Sequence, residues 1–248
     1  MKLTDQTRES TGFVYRGLSP SRLEGFTDAV FAFAITLLVV SLEVPKTYAE
    51  LKSMMAGFIG FAFCFAMLVL LWFMHQKFFR RYGLHDTITM VLNSALLFIL
   101  LFYVYPLKFV FTLTAAIFFG PGVLGDLSDV EGPIMPADAG SEMMTIYGLG
   151  FAAVFFLFFM LYRHAWALRD VLHLTPVERW LTREELWATG TMATIGLLSV
   201  LIAWLPFPAA SAWAGFFYFL IGPAMFVIKY VSRSRLVKKF PERELPAA

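Results

Sequence analysis

Residues 22–44 read RLEGFTDAVFAFAITLLVVSLEV. An arginine, a glutamate and an aspartate lead into an apolar run long enough, at about 1.5 Å per residue, to cross a bilayer as a helix. Asp28 lies at the margin of that run or just inside it, where an ionised carboxylate is costly unless it faces water or a partner. The stretch therefore reads as a membrane helix with a polar end, whose partners must come from elsewhere in the chain.

The rest of the sequence is of the same kind. Of 248 residues, 59% are hydrophobic and only 15% charged, which excludes an ordinary soluble domain. A net charge of +2, with basic residues confined to a few loops, carries no nucleic-acid footprint. The single cysteine, Cys64, rules out an internal disulfide and, in the middle of an apolar run, reads as an inert packing residue. The N-terminal residues carry both signs of charge, and no small-residue cleavage site follows the first apolar run, so they read as a tail rather than a signal peptide.

Apolar windows of about twenty residues predict six spans, near 24–44, 54–75, 88–113, 143–162, 186–205 and 211–230. Pro106 predicts that the third either kinks or stops and restarts before the Gly120-Pro121 turn. The stretch from Gly120 to Glu142, rich in Gly, Pro and carboxylates, reads as an aqueous loop. Lys77, Arg80, Arg81, Arg163, Arg169, Arg179 and Arg183 fall in two loops on the side of the basic N-terminus and the basic C-terminal region. Only Lys46, Lys52 and Lys108 lie opposite, so both termini are placed in the cytoplasm. The expectation is an all-α integral membrane protein with six transmembrane helices. Its domains are a cytoplasmic tail at 1–21, a membrane domain at 22–231 and a second cytoplasmic tail at 232–248.

At 100° per residue the first helix divides into faces. Phe26, Ala29 or Val30, Phe33, Thr36 or Leu37, and Val40 form one stripe, which a lone helix would turn toward lipid or the core. Asp28 points away from it, with Thr27 beside it. Trp72 and His75, three residues apart near the end of the second span, and Asn93, two turns after Asp86 in the third, lie at a depth similar to Asp28. Their donors and acceptors can form a satisfied network. That network is either an interhelical clamp or a proton relay through His75 and Asp28. No paired-histidine metal spacing, nucleophile with a base or paired membrane acids occur, so neither an enzyme nor a tightly bound metal or cofactor is expected. His164 and His173 read as interfacial loop residues, and Trp187, Trp204 and Trp213 as aromatic belts.

Arg22, Phe26, Thr27 and Asp28 resemble the arginine–phenylalanine–serine–aspartate signature of the transmembrane protein 175 potassium-channel family. Trp72, His75, Asn93 and Pro106 also match its pattern, so the similarity covers about Arg22 to Pro106. The resemblance implies a prokaryotic six-helix subunit in a bacterial inner membrane. Four such subunits would form a homotetramer, with the first helix lining the pore. It implies that Phe33 forms the narrowest apolar ring, Thr36 the filter, and Leu37 and Val40 further apolar layers, with Arg22, Phe26, Thr27, Asp28, Trp72, His75 and Asn93 as a structural network. Thr27 departs from the family's serine but keeps the hydroxyl, whereas Phe33 replaces a branched aliphatic and alters the constriction. No TVGYG-like segment occurs, so a ring of backbone carbonyls is not the filter. The expected function is a potassium-permeable cation channel of modest selectivity that passes potassium and other monovalent cations near Thr36. The alternative is a proton-coupled secondary transporter using Asp28 and His75.

Overall fold

A computed structural model describes residues 9, 11–40, 46–48, 51–52, 55, 57–120, 136 and 139–240, excluding the side chain of Val40. Among them the chain is all helical, with no β-strand. The helices are α1 (Arg22–Val40), α2 (Phe58–Tyr82), α3 (Thr87–Phe119), α4 (Gly140–Ala167), α5 (Pro176–Ala203), α6 (Ala210–Phe216) and α7 (Ile221–Lys239). A 3-10 turn at Phe217–Leu220 joins the last two. Among the described residues, five stretches are long and apolar enough to cross a membrane: α2, α3, α4, α5 and the continuous α6–α7 rod. α1 carries Arg22, Glu24 and Asp28 in its first two turns and is not among the five. The predicted continuation of its span through residues 41–44 lies outside the described residues.

The helix ends follow local chemistry. Thr175 accepts a hydrogen bond from the Glu178 backbone N–H while the Glu178 carboxylate accepts from the Thr175 N–H, and Pro176 occupies the first turn. This start lies ten residues before the apolar window at 186, because the first turns of α5 are polar and leave no hydropathy signal. α2 stops at Gly83, whose φ of 58° lets its N–H reach the Phe79 carbonyl. α3 runs through Pro106 as one helix of 33 residues, so the missing proline N–H is absorbed without a restart.

The core lies where α3, α4 and α5 pack, around Leu96, Leu100, Phe151, Phe155, Phe158 and Leu161. Gly148 of α4 faces Gly196 of α5 there. A Cβ on Gly196 would lie 3.0 Å from the Gly148 carbonyl oxygen, so the bare backbones permit the approach. By contrast, the α6–α7 rod leaves most of its large apolar side chains exposed, among them Trp213, Phe219, Phe226 and Tyr230.

Three segments differ from their sequence reading. Residues 11–17 are not a free tail, because Phe13 is fully buried against Tyr82 (5.5 Å between ring centroids) with the Arg81 guanidinium over its ring at 4.8 Å. α7 passes the expected boundary at 231 and continues to Lys239, burying Ser232 and Leu236. Glu142 belongs to the first turn of α4, while residues 121–135, 137 and 138 of the expected aqueous loop lie outside the described residues.

Candidate functional site

The site is assembled on α1. The Ser21 hydroxyl accepts from the Glu24 N–H (3.2 Å) and the Glu24 carboxylate from the Ser21 N–H (2.9 Å), a reciprocal cap that fixes where the helix begins. From there Thr27, Phe31, Ala34 and Leu38, spaced four, three and four apart, are buried against α2 and α3. The opposite side is left out of the subunit core. Phe26 is 59% exposed, Phe33 56% exposed, and Thr36 and Ala29 are exposed as well. Val30 and Leu37 sit half-buried at the edge of that face. Val40 ends the helix, and its side chain is outside the described part.

The polar residues divide into two groups. In the buried one, Asn93 Nδ2 donates to Thr27 Oγ1 at 2.9 Å, and Thr27 passes its own proton to the Leu23 carbonyl at 2.9 Å. The other face of the amide, Oδ1, lies 2.7 Å from His75 Nε2. An amide oxygen only accepts, so the imidazole donates from Nε2. In the exposed group, Trp72 Nε1 donates to Asp28 Oδ1 at 2.8 Å. His75 and Asp28 are thus held by separate partners rather than by each other. Both groups join α1 to its neighbours, the first through α3 and α2 and the second through α2 alone. Arg22 and Phe26 are exposed and enter neither group.

Asp86, seven residues before Asn93, belongs elsewhere. It caps α3, accepting from the Thr89 hydroxyl at 2.6 Å, and pairs with His164 Nε2 at 2.8 Å. Partial burial opposes its charge, but these two contacts outweigh it and hold the carboxyl below the usual carboxylate range. His164 is therefore a helical residue of α4 tied to α3, not a loop residue.

Thr36 donates its hydroxyl proton to the Ala32 carbonyl, at 2.9 Å. With the proton directed into the helix, the oxygen presents only lone pairs outward, which suits a cation rather than an anion.

One cluster escaped sequence reading. Glu178, with no exposed surface, accepts from the Val14 N–H at 2.8 Å and pairs with the Arg16 guanidinium at 2.9 Å. Arg16 also donates to the Leu172 and Val14 carbonyls, each at 3.0 Å. Beside it Arg81, buried, bridges Glu9 (2.7 Å) and Glu185 (3.2 Å), and Lys77 joins the same Glu185 oxygen. Arg16 and Gly17 both donate backbone N–H groups to the Arg80 carbonyl, each at 3.1 Å. Residues 11–17 are thereby fastened to the ends of α2 and α5, with four residues between them and the start of α1. The Thr-Pro-x-Glu run at 175–178 was the only sequence signal, and it marks a helix start without naming Arg16 as a partner.

The family model described as "Endosomal/lysosomal potassium channel TMEM175" matches residues 22–103, which contain α1, α2, the first half of α3 and every side chain of the two polar groups. A protein of Marivirga tractuosa named "Potassium channel" is 38% identical over 229 residues, covering 90% of this chain and 92% of that protein. A potassium channel of Chamaesiphon minutus is 31% identical over 93 residues, which is 34% of this chain and 46% of that one. The fold matches a crystal structure of the potassium channel MtTMEM175, a threonine-to-alanine variant in complex with a Nanobody-MBP fusion protein. The TM-score is 0.78 at 36% identity, over 90% of this chain and 97% of that chain.

Proposed function

Because the chain belongs to the TMEM175 family of potassium channels, we propose that it conducts potassium through a pore lined by four copies of α1. The observation that carries this reading is the division of α1: one side is spent on packing at Thr27, Phe31, Ala34 and Leu38, while Phe33 and Thr36 face outward. Four such faces about an axis stack rings of Phe33, Leu37 and Val40, which resist hydration until the pore widens and so gate by dewetting. A ring of Thr36 oxygens replaces part of an ion's water shell. Because these hydroxyl dipoles are few, the preference for potassium over sodium is modest. The Thr27, Asn93 and His75 chain and the Asp28–Trp72 pair hold the pore helix at a fixed rotation. Both termini face the cytoplasm of a bacterial inner-membrane protein.

Planar-bilayer recording with opposed potassium and sodium solutions tests this. Wild-type protein is expected to give a reversal potential displaced toward potassium, and Thr36→Ala to move it toward zero. Equal permeability in the wild type, or an unchanged reversal potential in the variant, overturns the filter assignment. Phe33→Ala is expected to raise the time spent conducting.

A further inference from the structure

α5 and α7 leave between them an apolar groove of about 740 Å³. Trp180 Nε1 of α5 donates to Ser232 Oγ of α7 at 2.9 Å, which sets these two residues level; with residues 187–198 of α5 and 223–228 of α7 lining one groove, the two helices run antiparallel. The groove lies beyond this bond, with Trp187, Gly190 and Thr194 on consecutive turns of one wall and Ala224, Val227 and Ile228 on the other. Thr194 gives its hydroxyl proton to the Gly190 carbonyl at 2.8 Å, so it has no unpaired donor facing an occupant.

Toward the Trp180–Ser232 level the same stripes become cationic. Arg183 stands one turn from Trp187 on α5, and Arg235 two turns from Val227 on α7, with Lys229 and Arg233 nearby; all four are exposed. The carboxylates at that level are already engaged, Glu184 by the Ser232 hydroxyl at 2.5 Å and Glu185 by Lys77 and Arg81. The Arg183 guanidinium also lies over the Trp166 ring at 5.6 Å, which holds it beside the end of the groove. The outer surface of the α6–α7 rod exposes Phe219, Phe226 and Tyr230, so the medium beside the groove is the bilayer.

We propose that this groove and its cationic end form a binding site for an anionic phospholipid, one acyl chain lying between α5 and α7 and the phosphate meeting Arg183 and Arg235. An apolar channel of this size accepts a chain in a membrane, and net positive charge at its end selects lipids bearing net negative charge over zwitterionic ones.

Native mass spectrometry of the full chain, titrated with phosphatidylglycerol or with phosphatidylcholine of the same chains, tests this. Wild-type protein is expected to retain phosphatidylglycerol preferentially. Arg183→Gln combined with Arg235→Gln should lower that retention about 10-fold or more and leave phosphatidylcholine unaffected. Arg183→Lys with Arg235→Lys should keep most of it, and Ala224→Trp, which fills the groove, should weaken both lipids. Equal retention of the two lipids by the wild type overturns the site. So does full retention by Ala224→Trp, or displacement of the lipid by inorganic phosphate, which would mark an anion site without a chain. An altered subunit number in Ala224→Trp would mark the groove as a contact between copies, and equally overturns the proposal.

Discussion

Two polar clusters hold this molecule in different ways. The one behind α1 is neutral: Thr27, Asn93 and His75 exchange single hydrogen bonds inside the helix bundle. The one at the basic end is ionic: Arg16 with Glu178, and Arg81 with Glu9 and Glu185, clamp residues 11–17 onto α2 and α5. Neutral groups can be buried deep among membrane helices at modest cost, whereas charges persist only where each finds an opposite charge and further hydrogen bonds. The neutral cluster ties one face of α1 to α2 and α3, and the ionic one ties the segment before α1 to the ends of α2 and α5.

Removing one side of the ionic cluster should have the largest effect. Glu178→Ala strands Arg16 and leaves the Val14 and Thr175 N–H groups without their acceptor. The expected cost is about 3–5 kcal/mol, read as a fall in melting temperature of the detergent-solubilised protein. Glu178→Gln preserves part of the hydrogen bonding and should lose less. Equal melting of wild type and Glu178→Ala would show that the clamp contributes nothing.

The neutral cluster should respond more weakly. Asn93→Ala orphans the His75 N–H and removes the donor to Thr27, for about 1–3 kcal/mol. Asn93→Asp retains an acceptor for His75 but loses the donor to Thr27, and it places a charge in the bundle. It should therefore be worse than Asn93→Ala, and the reverse order of melting temperatures would mean that the amide's two-sided bonding is not what matters. On the exposed face, Thr36→Ala removes only a bond to its own helix, so stability should change by less than about 0.5 kcal/mol while selectivity changes. That pairing of a small thermal effect with a large electrical one separates the outward face of α1 from its packed face.

The neutral cluster was legible in sequence and the ionic one was not, for a physical reason. Thr27, His75 and Asn93 are polar residues in apolar runs, and a span's direction sets their depth, so their level could be read without knowing which helices touch. Their pairing could not: Asp28 reads as one network with Trp72, His75 and Asn93, and among these its hydrogen-bond partner is Trp72. Phe13 and Glu178 sit in polar stretches where an apolar residue or a carboxylate is unremarked. Their burial arises from two helix ends brought together by packing, which no window along the chain records. Pro106 is similar, since its ring signals a break but the neighbouring turns carry the helix through.

Asp86 gives a small expected effect that carries a pH signature. Its carboxyl titrates below its ordinary value because the Thr89 hydroxyl and His164 favour the charged form more than partial burial disfavours it. A group whose folded pKa is lowered contributes stability above its unfolded pKa and loses it as pH falls through the folded one. The contribution of the α3 cap and its tie to α4 should therefore be complete at neutral pH and disappear in acid. Asp86 is largely solvent-facing, so screening keeps the gain within the range of a surface pair, roughly 1 kcal/mol or less. Asp86→Asn should melt slightly below the wild type at neutral pH, and the two should converge as the solution is acidified. A gap that stays constant with pH would place the effect in cap geometry rather than charge, and one that widens in acid would contradict the sign of the shift.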